Sequence, residues 1–434
     1  MEHVSLNLNV RGMHPSATVA INEHANALIR QGRPVRKLGL GQSPFPVPSC
    51  VVDALKLHAH EKDYLEVRGL RRLRETVAAY FHRNEGISVD PDLVLIGPGS
   101  KELMFLLQVA FYGELVVPTP CWVSYAPQAR IVGHPIRFVP SSFEHRWRLV
   151  PEDLEALCLQ DEGRPRLLVL NYPSNPDGLT CSEEELRRIA EIARKHEIIV
   201  LSDEIYGKLD HRGRHVSIAR FYPEGTIVSS GLSKWCGAGG WRLGLFIFPP
   251  RLSWLLQAME ALASETYTST SAPIQYAAVR AFQGGQEIER YLAHARSILA
   301  ALGQHSAERL RRAGARLHDP EGAFYLFPDF EPLRDRLEAF GIEGSRDLAI
   351  RILDETGVAL LPGEAFGRPP EELTLRIAYV NFDGAAALTA SEAMPLTEPR
   401  GEAFLRHHCY RTVDAIERLC AWFDAARIVE DLPD

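Results

Sequence analysis

The 434-residue sequence contains no stretch of roughly 18 consecutive apolar residues, so it offers no helix able to cross a bilayer. Cysteine is scarce. Seven are scattered at 50, 121, 158, 181, 236, 409 and 420, an odd number without a CxxC pair. This argues against a disulfide framework or a structural zinc site and for a reducing compartment. A basic surplus is also missing: 48 Lys and Arg stand against 56 Asp and Glu, for a formal charge of −8. Nothing in that balance draws the chain to nucleic acid or to an anionic membrane. There is no internal repeat, low-complexity tract, Walker A sequence or complete Rossmann glycine fingerprint. The opening residues MEHVSLNLNVRGMH lack the basic-then-apolar pattern of a secretory leader, so a cytoplasmic location is expected.

What is present is globular in character, with 46% hydrophobic and 24% charged residues. At about 150 residues per domain, the length implies roughly two or three domains. Short apolar runs at 93–96, 113–117, 136–139, 166–171, 198–203, 226–230 and 243–248 read as strands. Amphipathic stretches at 101–111, 183–195 and 252–263 read as helices. Continuous apolar strands alternating with helices predict a buried, largely parallel sheet. After about residue 283 the pattern changes. One long helix is expected over 287–313, followed by short strands (323–328, 358–361, 374–379) and helices (346–355, 412–425). The expected division is a segment 1–48 that packs with a small domain, a large domain 49–310, and the small α+β domain 311–434. Residues 385–405 read as an inserted loop or helix without an assigned role.

Ligands of parallel sheets bind beyond the carboxyl ends of the strands, so the residues that follow each run deserve inspection. After 93–96 comes Gly97-Pro98-Gly99-Ser100-Lys101 and then a helix, a turn whose free N–H groups suit a phosphate. The plain alternative is an ordinary strand-to-helix turn. After 166–170 comes Asn171-Tyr172-Pro173-Ser174-Asn175-Pro176-Asp177-Gly178, a stiff turn in which Asn175 is held extended by Pro176. After 198–201 comes Ser202-Asp203-Glu204-Ile205-Tyr206. A carboxylate ending a buried strand needs a partner. A protonated ring nitrogen of a cofactor and a helix N-cap are the two readings for Asp203. After 226–230 lies the glycine-dense segment 231–244, with Ser233-Lys234 near its start and Arg242 near its end. A desolvated Lys234 is a Schiff-base candidate, and Arg242 can grip a phosphate with two hydrogen bonds. Together these groups are what a pyridoxal phosphate site requires.

On these motifs the chain resembles the class I/II aminotransferases of fold type I, the aspartate aminotransferase superfamily, from about residue 38 to 423. The most specific part is 231–244, with 175–178 and 203–206 beside it. The resemblance implies an α/β fold, a large domain with a mostly parallel seven-stranded sheet plus a smaller α+β domain, and pyridoxal 5'-phosphate as cofactor. It implies that Lys234 forms the Schiff base, that Asp203 pairs with the pyridine nitrogen, and that Tyr206 and Asn175 meet the ring hydroxyl. Trp122, in Pro120-Cys121-Trp122-Val123-Ser124-Tyr125, would stack on the ring. Gly99, Ser100, Lys101 and Arg242 would surround the phosphate, although the Lys101 side chain has solvent as its alternative. Tyr64 resembles the tyrosine that reaches the neighbouring subunit's phosphate, which implies a homodimer with shared sites. Arg376 resembles the arginine that binds the substrate α-carboxylate, and Gly41 the glycine that lines the substrate pocket.

Two positions depart from the family pattern. Gly231 stands where many relatives carry a hydroxyl, leaving Ser230 or Ser233 to supply one. Ser100 stands where some aspartate-using relatives carry a lysine, which weakens the case for a dicarboxylic substrate. The reaction implied is ping-pong amino transfer from an α-amino acid to a 2-oxo acid, with pyridoxamine phosphate between the half-reactions. A β-lyase or amino-acid oxidase/deaminase reaction on the same scaffold is the alternative. A cofactor-binding regulator without turnover is disfavoured because no basic helix-turn-helix precedes the matched region.

Overall fold

The computed structural model describes residues 5, 7–13 and 17–428; the other positions of the opening segment, where the leader pattern was sought, and of the 311–434 segment lie outside the described residues. A two-residue strand, β1 (Arg36–Lys37), precedes a central sheet of β2 (Val94–Gly97), β3 (Glu114–Thr119), β4 (Ile136–Pro140), β5 (Arg166–Asn171), β6 (Ile199–Asp203), β7 (Thr226–Gly231) and β8 (Gly244–Ile247). The spatial order is β2-β8-β7-β6-β5-β3-β4. β8 runs antiparallel to both of its neighbours, and the other pairings are parallel.

Side chains alternate across each strand, so a sheet covered on both faces demands apolar residues at consecutive positions. Leu167 and Val169 of β5 enter one core with Leu115, Val117 and Ile227, and the helices Ser100–Ala110 and Ser253–Thr266 cover it. Leu168 and Leu170 enter another with Val116 and Val200, under the helices Pro151–Gln160 and Glu183–Lys195. The last of these has the bounds read from the sequence. Its start is fixed by a capping box in which Ser182 accepts from the Glu185 amide and Glu185 accepts from the Ser182 amide. Three glutamates lie at its positive end and Arg194 and Lys195 at its negative end. Leu186, Ile189, Ala190 and Ala193 form its buried stripe.

The C-terminal part builds a second sheet from β9 (Tyr325–Leu326), β11 (Leu361–Pro362) and β12 (Leu375–Ala378), in the order β11-β12-β9, all antiparallel. A separate strand, β10 (Val358–Ala359), pairs in parallel with β1. The strands expected over 323–328 and 358–361 are thus shorter or divided. Ala323 has a left-handed φ of 53° and Pro328 brings no N–H, so only Tyr325 and Leu326 join the ladder. The 358–362 stretch breaks at Leu360 because it pairs with β1 before it and with β12 after it.

The inserted stretch is a packed element rather than a loose loop. It forms the helix Gly384–Glu392, capped by Asp383, and the helix Glu402–His408. Between them Arg400, 2% exposed, donates to Ser391 Oγ (2.9 Å), the Pro395 carbonyl (2.8 Å) and His294 Nδ1 (3.1 Å) on the long helix Gln286–Arg312.

Loss of the capping hydroxyl in Ser182→Ala should lower stability by about 1 kcal/mol. The cavity left by Ile189→Ala should cost roughly 2–5 kcal/mol. Urea unfolding of the two variants checks both values. Equal effects would refute this account of how the helix is held.

Candidate active site

The parallel register brings the strand ends to one edge: Asn171 of β5 lies opposite Asp203 of β6, and Asp203 opposite Ser229 of β7. Beyond that edge opens a cavity of about 620 Å³. Gly41, Ser100, Lys101, Trp122, Asn175, Asp203, Tyr206, Ser233, Lys234, Arg242 and Arg376 all line it. Gly99 belongs with them through Arg242, because a Cβ on Gly99 would sit 2.1 Å from the Arg242 guanidinium. Tyr64 is not brought to the cavity of its own chain and is 89% exposed.

Asp203 ends β6 with 4% exposure. Oδ2 accepts from the Tyr125 hydroxyl at 2.7 Å, whereas Oδ1 is buried without a hydrogen-bond partner. Burial pushes this carboxyl up to about 6, against the opposing effects of Tyr125, the Ile205 amide and Lys234. The helix-cap reading does not hold, since the turn that follows is a 3-10 helix over Gly207–Leu209 that Tyr206 precedes. The backbone of Asp203 is tied to Asn171, whose side-chain N–H group donates to the Asp203 carbonyl at 2.8 Å. The Asn171 side-chain oxygen accepts from the Asn175 amide at 2.8 Å.

Lys234 Nζ donates to the Gly41 carbonyl at 2.7 Å and lies 5.6 Å from the centre of the Tyr206 ring. Its ammonium is pulled down to about 8, first by burial and then by the charge of Arg376, with Asp203 opposing. Arg376, 4% exposed, donates to Asn175 Oδ1 (3.1 Å) and to the Gly39 carbonyl, and it lies 4.8 Å from the centre of the Tyr325 ring. Its Nε has no hydrogen-bond partner. A buried guanidinium that bonds a carboxamide and a carbonyl retains the capacity to bind a carboxylate.

Three backbone features shape the phosphate-like corner. Gly97, Gly244 and Gly231 lie side by side across β2, β8 and β7. A Cβ on Gly244 would fall 2.2 Å from the Ser100 amide nitrogen, and one on Gly231 would fall 2.7 Å from the Leu243 carbonyl. This explains the departure at Gly231: a hydroxyl residue does not fit there, and of Ser230 and Ser233 it is Ser233 that lines the cavity. Arg242 adopts φ 54°, a left-handed conformation that a non-glycine residue takes at a cost of about 1–2 kcal/mol.

Lys101 faces the cavity with Nζ 5.0 Å from the centre of the Trp122 ring, while much of its side chain meets solvent. Partial burial and Arg242 lower its ammonium from the ordinary lysine value.

Sequence reasoning assigned no role to Tyr125, Asn171 or Tyr325. Tyr325 Oη lies 2.7 Å from the Tyr206 hydroxyl, and a Cβ on Gly41 would sit 2.0 Å from it. Asn171 and Tyr125 stood at a strand end and inside a quoted motif. Tyr325 carried no signal beyond membership of a short apolar strand.

Residues 33–387 match the family described as aminotransferase class I and II. An asparagine–oxo-acid transaminase of Streptococcus mutans is 33% identical over 398 residues, covering 86% of this chain and 94% of that relative. An aspartate aminotransferase of Geobacillus stearothermophilus is 32% identical, covering 85% of this chain and 93% of the relative. Among solved structures, an aspartate aminotransferase from Thermus thermophilus with maleate superposes with a TM-score of 0.81 at 28% identity, over 96% of this chain and 99% of that one.

With its ammonium held near 8, Lys234 should gain nucleophilicity as pH rises through that value and level off above it. Reductive methylation of the cofactor-free protein, followed by mass spectrometry, should give Lys234 a midpoint near 8, whereas solvated lysines keep rising toward about 10.4. A Lys234 profile that matches the solvated lysines would contradict the assignment.

Proposed function

The chain belongs to the class I and II aminotransferase family and moves an amino group from an amino acid to a 2-oxo acid, and from that premise we propose that it does so with pyridoxal 5'-phosphate bound in the cavity around Lys234. Members of this family are generally dependent on that cofactor. The observation that carries the proposal is the convergence of a depressed lysine, a buried carboxylate with one free oxygen, and an arginine beside a glycine turn on one cavity.

When bound, the cofactor supplies an aldehyde that condenses with amines and a ring that withdraws electron density from the substrate Cα. Asp203 Oδ1 would accept the ring N–H, and its charge would favour the protonated ring nitrogen. Arg242, the amides at the start of the helix Ser100–Ala110, and the Ser233 hydroxyl would hold the phosphate, and Gly99 would leave room for it. Trp122 would cover the ring face, and Tyr206 and Asn175 would orient the ring hydroxyl. Arg376 binds the α-carboxylate through its guanidinium, with the Gly41 backbone closing the same side. Lys234 Nζ would act as the base that takes the proton from the substrate Cα.

The substrate class follows from the remaining cation. Lys101 stands at the cavity wall beside Trp122, suited to a carboxylate or carboxamide side chain, and this agrees with the names of the relatives. Lys101, expected around the phosphate, is here assigned to the substrate side chain, so that it supplies the charge that Ser100 does not. We further propose the domain division 1–48, 49–310 and 311–434, supported by the pairing of β1 with β10. We read Tyr64 as serving the site of a second copy.

Purified protein with added pyridoxal phosphate should absorb visible light, and Lys234→Ala should lose both the band and turnover. A wild type that stays colourless with added cofactor would sink the proposal. Lys101→Met should raise KM for aspartate roughly tenfold to a hundredfold, the worth of one charged hydrogen bond, with little change for alanine. An equal change for both substrates would remove Lys101 from side-chain recognition.

A further inference from the structure

We propose that Tyr125 is a positioning residue for the ring-nitrogen partner: its hydroxyl pins one oxygen of Asp203 and leaves the other free to receive a cationic N–H. The inference rests on the pyridoxal phosphate reading of the cavity and names how this chain aims its carboxylate.

Tyr125 opens the helix Tyr125–Val132 and is 1% exposed. Its hydroxyl lies 2.7 Å from Asp203 Oδ2. An ionised carboxylate only accepts hydrogen bonds, so the phenol is the donor. Burial and the neighbouring Asp203 charge keep that phenol protonated, since both raise its pKa well above the ordinary tyrosine value. The partnerless Oδ1 belongs to the same carboxylate, which lines the cavity. Two consequences follow. A carboxylate held at one oxygen has a fixed plane, so Oδ1 points in a constant direction. A donor on the charged form also offsets part of the desolvation that would otherwise protonate the group. A protonated Asp203 would offer the ring an O–H without a negative charge.

Tyr125 further sits edge-on to Trp122, with ring centres 5.3 Å apart and planes at 82°. One side chain therefore orients both the carboxylate proposed for the ring nitrogen and the indole proposed for the ring face. Packing alone does not require the hydroxyl, and that makes the idea separable from a structural role.

The test uses the full-length protein stripped of cofactor and titrated with 15N-labelled pyridoxal phosphate. Tyr125→Phe, which keeps the ring, should weaken cofactor binding roughly tenfold to a hundredfold, the range for a hydrogen bond to a charged group. The 15N signal of the bound ring nitrogen should move toward the unprotonated position. In an Asp203→Asn background the Tyr125→Phe change should have a far smaller effect on binding, because the carboxylate charge that the phenol supports is already gone. Tyr125→3-fluorotyrosine, a stronger donor of nearly the same shape, keeps the question answerable if the phenylalanine variant does not fold, and it should tighten binding. Unchanged affinity and 15N signal in Tyr125→Phe, unchanged affinity in the fluorotyrosine variant, or an equal loss in the Asp203→Asn background each overturns the inference. A wild type that takes up no cofactor overturns the proposed function and this inference together; a wild type that binds, with variants that bind equally, overturns the inference alone.

Discussion

A charge removed from water must find a counter-charge or strong hydrogen bonds, and this constraint organises the cavity. Asp203 and Arg376 are both almost fully enclosed, at 4% exposure each, yet they do not pair with one another. Each is satisfied on one side by neutral protein groups, the Tyr125 hydroxyl at the aspartate, Asn175 and a carbonyl at the arginine. Each keeps an atom without a partner, Oδ1 and Nε. On the proposed reading, the fold holds two opposite charges in place for ligand groups of opposite sign. In a chain of formal charge −8, the cavity wall carries Lys101, Lys234, Arg242 and Arg376 against Asp203 alone. That local surplus suits a ligand set rich in phosphate and carboxylate.

The surrounding sheet supplies the precision. In-register pairing sets Asn171, Asp203 and Ser229 in one row, so the side chains that follow those strands emerge at one edge. Gly244, level with Gly97 and Gly231 across the three strands, lets the loop before the helix Ser100–Ala110 approach its backbone within a distance no side chain would allow. The small sheet closes the other side: β12 carries Arg376, and β9 carries Tyr325 against Tyr206 and Gly41.

The large sheet was legible because two buried faces demand unbroken apolar runs, as at 166–171 and 198–203. Lys234, Asp203, Asn175 and Arg242 were legible because their neighbours form dense motifs at strand ends. The small sheet was read less well. Its strands are two to four residues long, and their limits are set by pairing across the chain, as at Leu360, not by local pattern. Tyr325 was invisible for the same reason: its partner Tyr206 is 119 residues away. Tyr125 was quoted within a motif, but its tie to Asp203 spans 78 residues and leaves no local trace. Gly231 looked like a lost hydroxyl until the Leu243 carbonyl beside it showed that no side chain fits.

The electrostatics also link the two ends of the proposed reaction. After burial, the charge of Arg376 is the largest influence holding the Lys234 ammonium down. On the proposed reading, a substrate carboxylate arriving at Arg376 cancels that push. Lys234 then binds a proton more tightly than in the free protein, at the moment when it must take one from Cα. In the cofactor-free protein, the same arginine keeps the lysine closer to its neutral, nucleophilic form. One buried guanidinium therefore favours the amine when it must attack and the ammonium when it must carry a proton. This works because Arg376 has no protein carboxylate of its own among its hydrogen-bond partners. An internal acid at that place would neutralise the arginine permanently and uncouple substrate binding from the basicity of Lys234.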